Sequence, residues 1–130
     1  MPPAASAKSP IPKASRKSNE NILTIESMEE YEKIYKKGDE TNIVTVIDFT
    51  ASWCGPCKAI APFFAKLCDS YDAHFVKVDV DELDELAMKC EVSCMPTFVV
   101  IEKGKVVDRT SGANEAELET MVKKWAVRVI

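Results

Sequence analysis

Two cysteines, Cys54 and Cys57, are the residues of this chain whose spacing most clearly indicates chemistry. They stand two residues apart in the segment Trp-Cys-Gly-Pro-Cys, between an apolar run at residues 43–49 and a helical pattern. Where a strand turns into a helix, two thiols at this spacing can join as a disulfide or separate as a dithiol. The segment therefore predicts a redox centre.

The helical pattern that follows assigns different roles to the two sulfurs. Successive helical side chains are separated by about 100°, so Cys57 aligns with Phe64 and Cys68 on the core side, while Cys54 lies at the helix tip. We therefore expect Cys54 to face solvent and act as the nucleophile, and Cys57 to resolve the mixed disulfide. The free amides at the helix start would stabilise the Cys54 thiolate, and Pro56 restricts the chain between the thiols.

Length and composition limit the classes of protein that can carry this centre. The 130 residues, 46% hydrophobic and 29% charged, suit one soluble globular domain, and no apolar run approaches the roughly 18–20 residues that span a bilayer. Five cysteines without the spacing of a disulfide framework favour a reducing compartment. All 21 acidic residues follow residue 19, and this acidic balance argues against a nucleic-acid surface.

The first 20 residues differ from the rest of the chain. They are rich in Pro, Ala, Ser and Lys and hold few large apolar groups. Such a segment cannot bury enough surface to offset the cost of ordering, so we predict a disordered basic N-terminal extension at residues 1–20 and one folded domain at residues 21–130. The composition has some features of an organelle-targeting signal, which is the alternative to a cytoplasmic location.

Alternating strand and helix patterns after residue 20 predict a three-layer α/β domain with strands between helices. The β-branched run at residues 43–49 is typical of a central strand covered on both faces. Ser27 and Asn114, each followed three residues later by Glu, predict helix starts, and Gly38 is expected to end the first helix. The other predicted elements are strands at residues 22–25, 74–80, 97–101 and 106–109, a helix from about Cys54 and a helix at residues 81–91.

Three segments of the sequence together resemble the thioredoxin family. They are residues 49–58 (FTASWCGPCK), residues 95–97 (Met-Pro-Thr) and residues 111–114 (Ser-Gly-Ala-Asn), and the likeness extends over roughly residues 21–127. The resemblance implies a thioredoxin fold, with a central mixed sheet of four to five strands sandwiched by four helices. It also implies a protein-disulfide reductase of cell redox homeostasis that binds no cofactor, receives electrons from NADPH through a separate thioredoxin reductase, and reduces clients such as peroxiredoxin-type proteins.

The same resemblance implies a substrate-binding surface around the two thiols. An exposed Trp53 ring suits binding of unfolded or loop segments, although simple packing would also explain a tryptophan here. Pro96 is implied to be cis, so that the Met95 backbone faces a client strand; an ordinary trans proline in a loop is the alternative. Gly112 and Ala113 would allow close backbone approach. The motif residues Gly55 and Pro56 complete the surface.

Asp48 interrupts the apolar central strand and is the acid that we single out. A carboxylate there would be desolvated, which raises its pKa and makes it a candidate proton acceptor and donor for Cys57, a role that the family resemblance also implies. The alternative is a strand-end carboxylate that reaches water. Lys77 is expected either to pair with Asp48 or to remain solvated.

The remaining cysteines and the single histidine receive different interpretations. Cys68 and Cys90 continue apolar stripes and are expected in the core. Cys94 lies in the loop before Pro96, where animal thioredoxins often carry an extra cysteine, so we hypothesise that its oxidation blocks docking or joins two otherwise monomeric chains. His74 is expected at the surface, and no second CxxC or HxxxH completes a zinc site.

Two other functions remain open. An oxidase or isomerase of the endoplasmic reticulum shares the fold, but such proteins usually have His in place of Pro56, and the sequence shows no signal-peptide or retention pattern. A redox-sensitive binding module is the second alternative, in which turnover is incidental to capture of a partner. Reduction of insulin with NADPH and a reductase would separate the two, because a Cys57→Ser protein should lose turnover yet could keep binding.

Overall fold

The computed structural model describes residues 22–128 of the chain. The predicted extension at residues 1–20, together with residue 21 and residues 129–130 of the predicted domain, lies outside the described residues. The elements follow in the order β1 (Ile22–Thr24), α1 (Met28–Thr41), β2 (Thr45–Thr50), α2 (Gly55–Ser70), β3 (Tyr71–Asp72), β4 (His74–Asp79), α3 (Asp84–Lys89), β5 (Thr97–Glu102), β6 (Lys105–Ser111), α4 (Glu115–Trp125) and β7 (Val127–Arg128).

A five-stranded mixed sheet forms the middle layer, with the strand order β1-β4-β2-β5-β6. The central strand, β2, pairs in parallel with β4 and in antiparallel with β5. Five of its six residues are buried. Its backbone is hydrogen-bonded along both edges and its side chains are covered on both faces, as the apolar run at residues 43–49 predicts.

Side chains of β2 alternate between two hydrophobic cores, one on each face of the sheet. Val46 packs in the core that α2 and α4 complete, and Ile47 packs in the core that α1 and α3 complete. Within residues 22–128, four helices therefore cover the five-stranded sheet, two on each face. This confirms the predicted three-layer α/β fold with a mixed sheet between four helices.

Both predicted helix starts have the expected N-cap bond, but neither Glu side chain completes a capping box: Glu30 Oε1 accepts a hydrogen bond from Glu26 N, and Glu117 Oε1 accepts one from Thr110 Oγ1. Ser27 is the N-cap of α1, and its side-chain oxygen accepts a hydrogen bond from the backbone amide of Glu30 at 3.2 Å. Asn114 is the N-cap of α4, and its Oδ1 accepts a hydrogen bond from the backbone amide of Glu117 at 3.0 Å. Each bond satisfies an amide that has no acceptor inside the helix.

Gly38 lies inside α1 rather than at its end, which corrects the sequence prediction. The helix continues to Thr41, and Asn42 is the C-cap in the left-handed conformation, with φ 60°. Gly38 is buried, and a Cβ there would overlap the carbonyl oxygen of Ile43. Glycine is therefore needed for the close approach of α1 to the chain that enters β2, not for a left-handed turn.

The helix predicted at residues 81–91 is shorter than expected because its first residues form a turn. Asp79 binds three amides of this turn: its Oδ1 accepts a hydrogen bond from Asp81 N at 2.8 Å, and its carbonyl oxygen accepts hydrogen bonds from Glu82 N at 3.1 Å and Leu83 N at 3.0 Å. The helix α3 then spans Asp84–Lys89. The turn leaves Asp81 beside the carboxyl end of β4.

Two features of the structure were not predicted. β3 and β7 pair in antiparallel as a separate two-stranded sheet, which joins the segment after α4 to the segment after α2. β5 and β6 form the expected hairpin, but their pairing contains a register shift between Val100 and Ile101. Strands of two residues are too short for a period-2 pattern, and a bulge depends on a single extra residue, so neither feature leaves a periodic signal in the sequence.

Candidate active site

The site is built where the central strand ends and α2 begins. β2 ends at Thr50, and Cys54 is the N-cap residue of α2. Cys54 and Cys57 are joined in a disulfide, with 5.3 Å between their Cα atoms. This separation lies in the usual range for disulfides. The predicted redox pair is therefore present in its oxidised state.

The sulfur of Cys54 takes the place of a capping oxygen. Cys57 N donates a hydrogen bond to Cys54 Sγ at 3.1 Å, where a Ser or Asp oxygen usually accepts at a helix start. The first amides of a helix have no intrahelical acceptors and carry the positive end of the helix dipole. When the disulfide opens, the same amide favours negative charge on Cys54.

The exposure of Cys54 differs from the sequence prediction. Cys54 is 4% exposed and Cys57 3%, so Cys54 does not face solvent in the disulfide form. Helical periodicity does not apply to Cys54, because its φ of −92° and ψ of 106° are extended and its sulfur turns toward the first turn of α2. The two cysteines form a cluster with Ala51, against which Val80 and Met95 pack.

The segment around Pro96 lies against this cluster. Met95 contacts it, and the Met95–Pro96 peptide bond is cis, as the family resemblance implied. Gly112 N donates to the carbonyl oxygen of Pro96 at 2.8 Å. Gly112 has a φ of 94°, and a Cβ there would meet no atom within 4 Å. Its backbone conformation, rather than crowding by the protein, therefore favours glycine.

The other predicted contact residues lie at the surface. Trp53 is 67% exposed, which argues against simple packing as the reason for a tryptophan at this position. Gly55, Pro56 and Ala113 are also exposed. A Cβ on Gly55 would meet no atom within 4 Å, so the space beside the disulfide is open at this point.

Asp81 is a site residue that sequence reasoning missed. Trp53 Nε1 donates to Asp81 Oδ2 at 2.9 Å, which fixes one edge of the exposed ring. The strand ends explain the contact, because Thr50 at the end of β2 pairs with Asp79 at the end of β4. Residues that follow neighbouring parallel strands meet at one edge of a sheet. A prediction that β2 and β4 are neighbours in the sheet could therefore have identified Asp81 from the sequence.

Asp48 is buried on the face of β2 that α2 covers. It is 1% exposed, shares a face with Val46 under α2, and its Oδ1 has no hydrogen-bond partner. Burial raises the pKa of Asp48 from 3.8 to about 7, and the positive charge of Lys77, its partner in the β2–β4 pairing, opposes the rise. This confirms the predicted desolvated carboxylate and contradicts the alternative in which Asp48 reaches water.

The three cysteines outside the disulfide lie in two environments. Cys68 and Cys90 are buried, as predicted, and Cys94 is exposed. Cys94 directly precedes the cis Met95–Pro96 bond, and its carbonyl oxygen accepts a hydrogen bond from Thr97 Oγ1 at 2.6 Å. A free thiol therefore stands at the border of the predicted substrate-binding surface, and its regulatory role stays a prediction.

His74 is less exposed than the sequence predicts. It is half-buried, its Nε2 is buried without a hydrogen-bond partner, and burial lowers its pKa. The helix α1 covers it, because a Cβ on Gly38 would lie 3.4 Å from its Cδ2. Among the described residues, no group of three or more His, Cys, Asp or Glu side chains is arranged to hold a metal ion. In the same range, no helix has the length and apolar character to cross a bilayer.

A disulfide at the N-terminus of the helix that follows the central strand defines a thiol–disulfide oxidoreductase. The thioredoxin family model matches residues 22–124. The chain belongs to the thioredoxin family, and it acts by dithiol–disulfide exchange through Cys54 and Cys57.

Similar proteins come from animals, plants and fungi. The chain is 47% identical over 107 residues to thioredoxin of Mus musculus, covering 81% of this chain and 99% of the relative. It is 45% identical over 106 residues to thioredoxin H-type 1 of Nicotiana tabacum, covering 81% and 84%. Similar solved structures are the thioredoxin pre-protein of Schistosoma mansoni (TM-score 0.76, 44% identity, 81% of this chain and 98% of that chain) and mitochondrial thioredoxin 3 of Saccharomyces cerevisiae (TM-score 0.74, 40% identity, 83% and 99%).

The buried carboxylate predicts an unusual dependence of stability on pH. Because the folded-state pKa of Asp48 is about 7 and the ordinary pKa of an exposed aspartate is 3.8, the group favours the folded state at low pH, and this contribution is lost as pH rises from 4 through 7. Above pH 7 the ionised group costs up to about 4 kcal/mol, from about 1.4 kcal/mol for each pKa unit. We expect Asp48→Asn to raise the free energy of unfolding at pH 8 by up to this amount, with little change at pH 4.

Urea unfolding at intervals from pH 4 to pH 8 measures this effect. Glu119→Gln, which neutralises an exposed acid of α4, is the control and should leave the pH profile as it is in the wild type. An Asp48→Asn protein with the same pH profile as the wild type would contradict the buried, proton-retaining state of Asp48.

Proposed function

We propose that this protein reduces the disulfides of client proteins, with Cys54 as the nucleophile and Cys57 as the resolving residue. The Cys54 thiolate attacks one client sulfur and forms a mixed disulfide, and the second client sulfur leaves as a thiolate. Cys57 then loses its proton and attacks Cys54 Sγ. This attack releases the first client sulfur and forms the Cys54–Cys57 disulfide, so two electrons pass to the client and its two sulfurs take up two protons.

The observation that carries these roles is the hydrogen bond from Cys57 N to Cys54 Sγ. It favours negative charge on Cys54, which helps Cys54 both as an attacking thiolate and as the leaving group when Cys57 attacks. Reduction also removes the covalent link to Cys57, which allows the Cys54 side chain to change rotamer and present its sulfur to a client. Cys57 lies one turn deeper, within the helix.

Asp48 is proposed as the proton acceptor and donor for Cys57. Three properties support this role: burial on the face that α2 covers, an Oδ1 without a hydrogen-bond partner, and a pKa of about 7. A base with a pKa near the working pH combines a useful unprotonated fraction with useful basicity. Lys77, whose positive charge lowers the pKa of Asp48, keeps this value from rising further.

The client is proposed to bind across the surface next to the disulfide. Trp53 supplies an exposed apolar ring fixed by Asp81, and Met95, which packs against the cysteines, is proposed to offer its backbone to the client. An extended client segment can pair with this backbone as an added strand. The exposed or open positions around it leave room for the segment, and these are Gly55, Pro56, Gly112 and Ala113. Pro96, the remaining member of the proposed surface, is buried, so its part is to hold the Met95 backbone rather than to offer space.

Electron supply, partners and location complete the proposal. A separate thioredoxin reductase would return the disulfide to the dithiol with electrons from NADPH, and peroxiredoxin-type proteins are proposed among the clients. We propose a cytoplasmic monomer, with organelle targeting through residues 1–20 as the alternative. The location of a protein with a C-terminal fluorescent tag, made with and without residues 1–20, would decide between these, because removal of an address changes the compartment.

The roles of the two cysteines predict different defects for two serine variants. In a turbidity assay of insulin reduction with NADPH and a thioredoxin reductase, Cys54→Ser and Cys57→Ser should both fall to the uncatalysed rate. Cys57→Ser should accumulate a mixed disulfide with insulin through Cys54, whereas Cys54→Ser should not. The exposed Cys94→Ser is the control and should keep wild-type turnover.

Three results would decide against this assignment. Full turnover of either active-site variant would exclude the exchange as written, and trapping by Cys54→Ser instead of Cys57→Ser would reverse the roles. A wild-type protein that binds clients without turnover would favour the redox-sensitive binding module.

The role of Asp48 predicts a defect in the second step of the exchange. In a single-turnover reaction of the reduced protein with a client disulfide, Asp48→Asn should slow release of the mixed disulfide by about 10-fold or more. The wild-type rate of this step should show an inflection near pH 7, below which Asp48 is protonated, and the variant should lose this inflection. Rapid acid quenching and mass spectrometry separate the two steps. Equal release rates in the two proteins would remove Asp48 from the mechanism.

The exposed thiol predicts a covalent dimer under oxidising conditions. Cys94 is the free cysteine at the surface within the described residues, so treatment of the wild type with diamide should produce a dimer that dithiothreitol reverses. Non-reducing electrophoresis measures its yield. The same dimer from a Cys94→Ser protein would show that another thiol is responsible.

A further inference from the structure

Residues 90–96, which connect α3 to β5, carry Cys94 and the cis Met95–Pro96 bond, and we call them the docking loop. The edge strand β6 lies beside the start of β5, with β5 as its neighbour in the sheet. Arg109 and Ser111 stand two residues apart on β6 and therefore share a face. Arg109 contacts the first residues of the docking loop, and Ser111 contacts Thr97, the residue that follows the loop.

The end of the docking loop is held by several short bonds. Thr97 Oγ1 donates to the carbonyl oxygen of Cys94 at 2.6 Å and lies 3.1 Å from Ser111 Oγ. Gly112 N donates to the carbonyl oxygen of Pro96 at 2.8 Å. Thr97 is 1% exposed, so its hydroxyl depends on these partners rather than on water.

The start of the docking loop is tied to α3 by backbone hydrogen bonds from Cys90 N, Glu91 N and Val92 N, and one side chain from β6 adds to them. Arg109 Nη1 donates to the carbonyl oxygen of Glu91 at 3.2 Å, and Nη2 donates to the carbonyl oxygen of Cys90. Glu91 has a φ of 56°, a left-handed conformation that costs energy for a residue with a side chain. The planar guanidinium therefore binds two successive carbonyl groups at the point where the backbone is least favourable.

We propose that Arg109 is a positioning residue for client binding. By fixing the start of the docking loop, it holds the Met95 backbone and Pro96 in place against the disulfide, so that a client segment meets a preformed edge. This inference rests on the proposed function, because it assumes that clients pair with the Met95 backbone. Arg109 touches neither sulfur, so it acts on binding of large clients and not on the exchange chemistry.

The proposal predicts a split between large and small disulfide substrates. Insulin must pair with the docking loop, whereas 5,5′-dithiobis(2-nitrobenzoic acid) reacts with a thiolate without needing a backbone edge. For Arg109→Gln we expect the KM for insulin to rise about fivefold, which corresponds to about 1 kcal/mol of lost preorganisation. The kcat and the rate constant for the small disulfide should change less than twofold. Arg109→Lys, which keeps a charged donor but loses the planar fork, should fall between the wild type and Arg109→Gln.

The experiment uses the full chain, with dithiothreitol as the electron donor for insulin turnover and pre-reduced protein for the small disulfide. Lys105→Gln removes an exposed positive charge from the same strand and is the matched control, with an expected KM equal to that of the wild type. Urea unfolding of each variant shows whether a change in KM accompanies a change in global stability.

Hydrogen exchange tests the positioning without any enzymatic assay. If Arg109 holds the docking loop, the Gly112 amide, which is bonded to Pro96, should exchange faster in Arg109→Gln than in Lys105→Gln, at conditions where both are folded. An unchanged KM with unchanged exchange would overturn the proposal. Equal losses toward insulin and the small disulfide would also overturn it, because they would indicate a structural role. A wild type that fails to reduce insulin, with faster Gly112 exchange in the variant, would refute the proposed function but keep the positioning role.

Discussion

The amide at the first turn of α2 that binds the sulfur of Cys54 is the interaction on which the rest of the site depends. It requires Cys54 to be an N-cap, which requires the helix to begin at Gly55, five residues after the end of β2 at Thr50. Because β2 is central, the disulfide lies at the middle of one edge of the sheet. The segment that follows β4 begins at this edge, and the segment that precedes β5 ends there. Met95 and Asp81 reach the site from those two segments.

The same arrangement explains why a carboxylate is kept in the core. Asp48 lies on β2 beneath α2, where a valine or isoleucine would pack without the cost of desolvating a charge. This cost appears as an Oδ1 atom without a hydrogen-bond partner and as a raised pKa of Asp48. The proposed exchange of a proton with Cys57 would give this carboxylate a functional reason to be there, and two well-packed cores on either side of the sheet offset its cost.

Much of the fold and the centre of the site could be predicted because the relevant signals are local and periodic. The capping residues Ser27 and Asn114, the two-sided apolar strand and the spacing of Cys54 and Cys57 each report on a few neighbouring residues. The errors have a different origin. The role of Gly38 depends on contact with the chain entering β2, and the low exposure of Cys54 depends on its extended backbone and on packing by Met95 from a distant segment.

Contacts between segments far apart in the chain were the hardest to foresee. Trp53 and Asp81 are brought together by the pairing of β2 with β4, and a strand order deduced from the sequence would have placed them at one edge. The contact of Arg109 with Glu91 has no such signal, because it depends on the rotamer of one long side chain and on a left-handed residue that is not glycine. The reacting residues of the site are thus easier to infer from sequence than the contacts between distant segments that position them.

The small β3–β7 sheet has a practical consequence for handling this protein. Arg128 pairs with Tyr71, the residue that caps the far end of α2, while the disulfide lies at the near end. A helix of 16 residues is about 24 Å long, so the last described residues are anchored at the pole of the molecule opposite the sulfurs. Cargo or a solid support attached beyond Arg128 would therefore leave the reactive end open to large substrates.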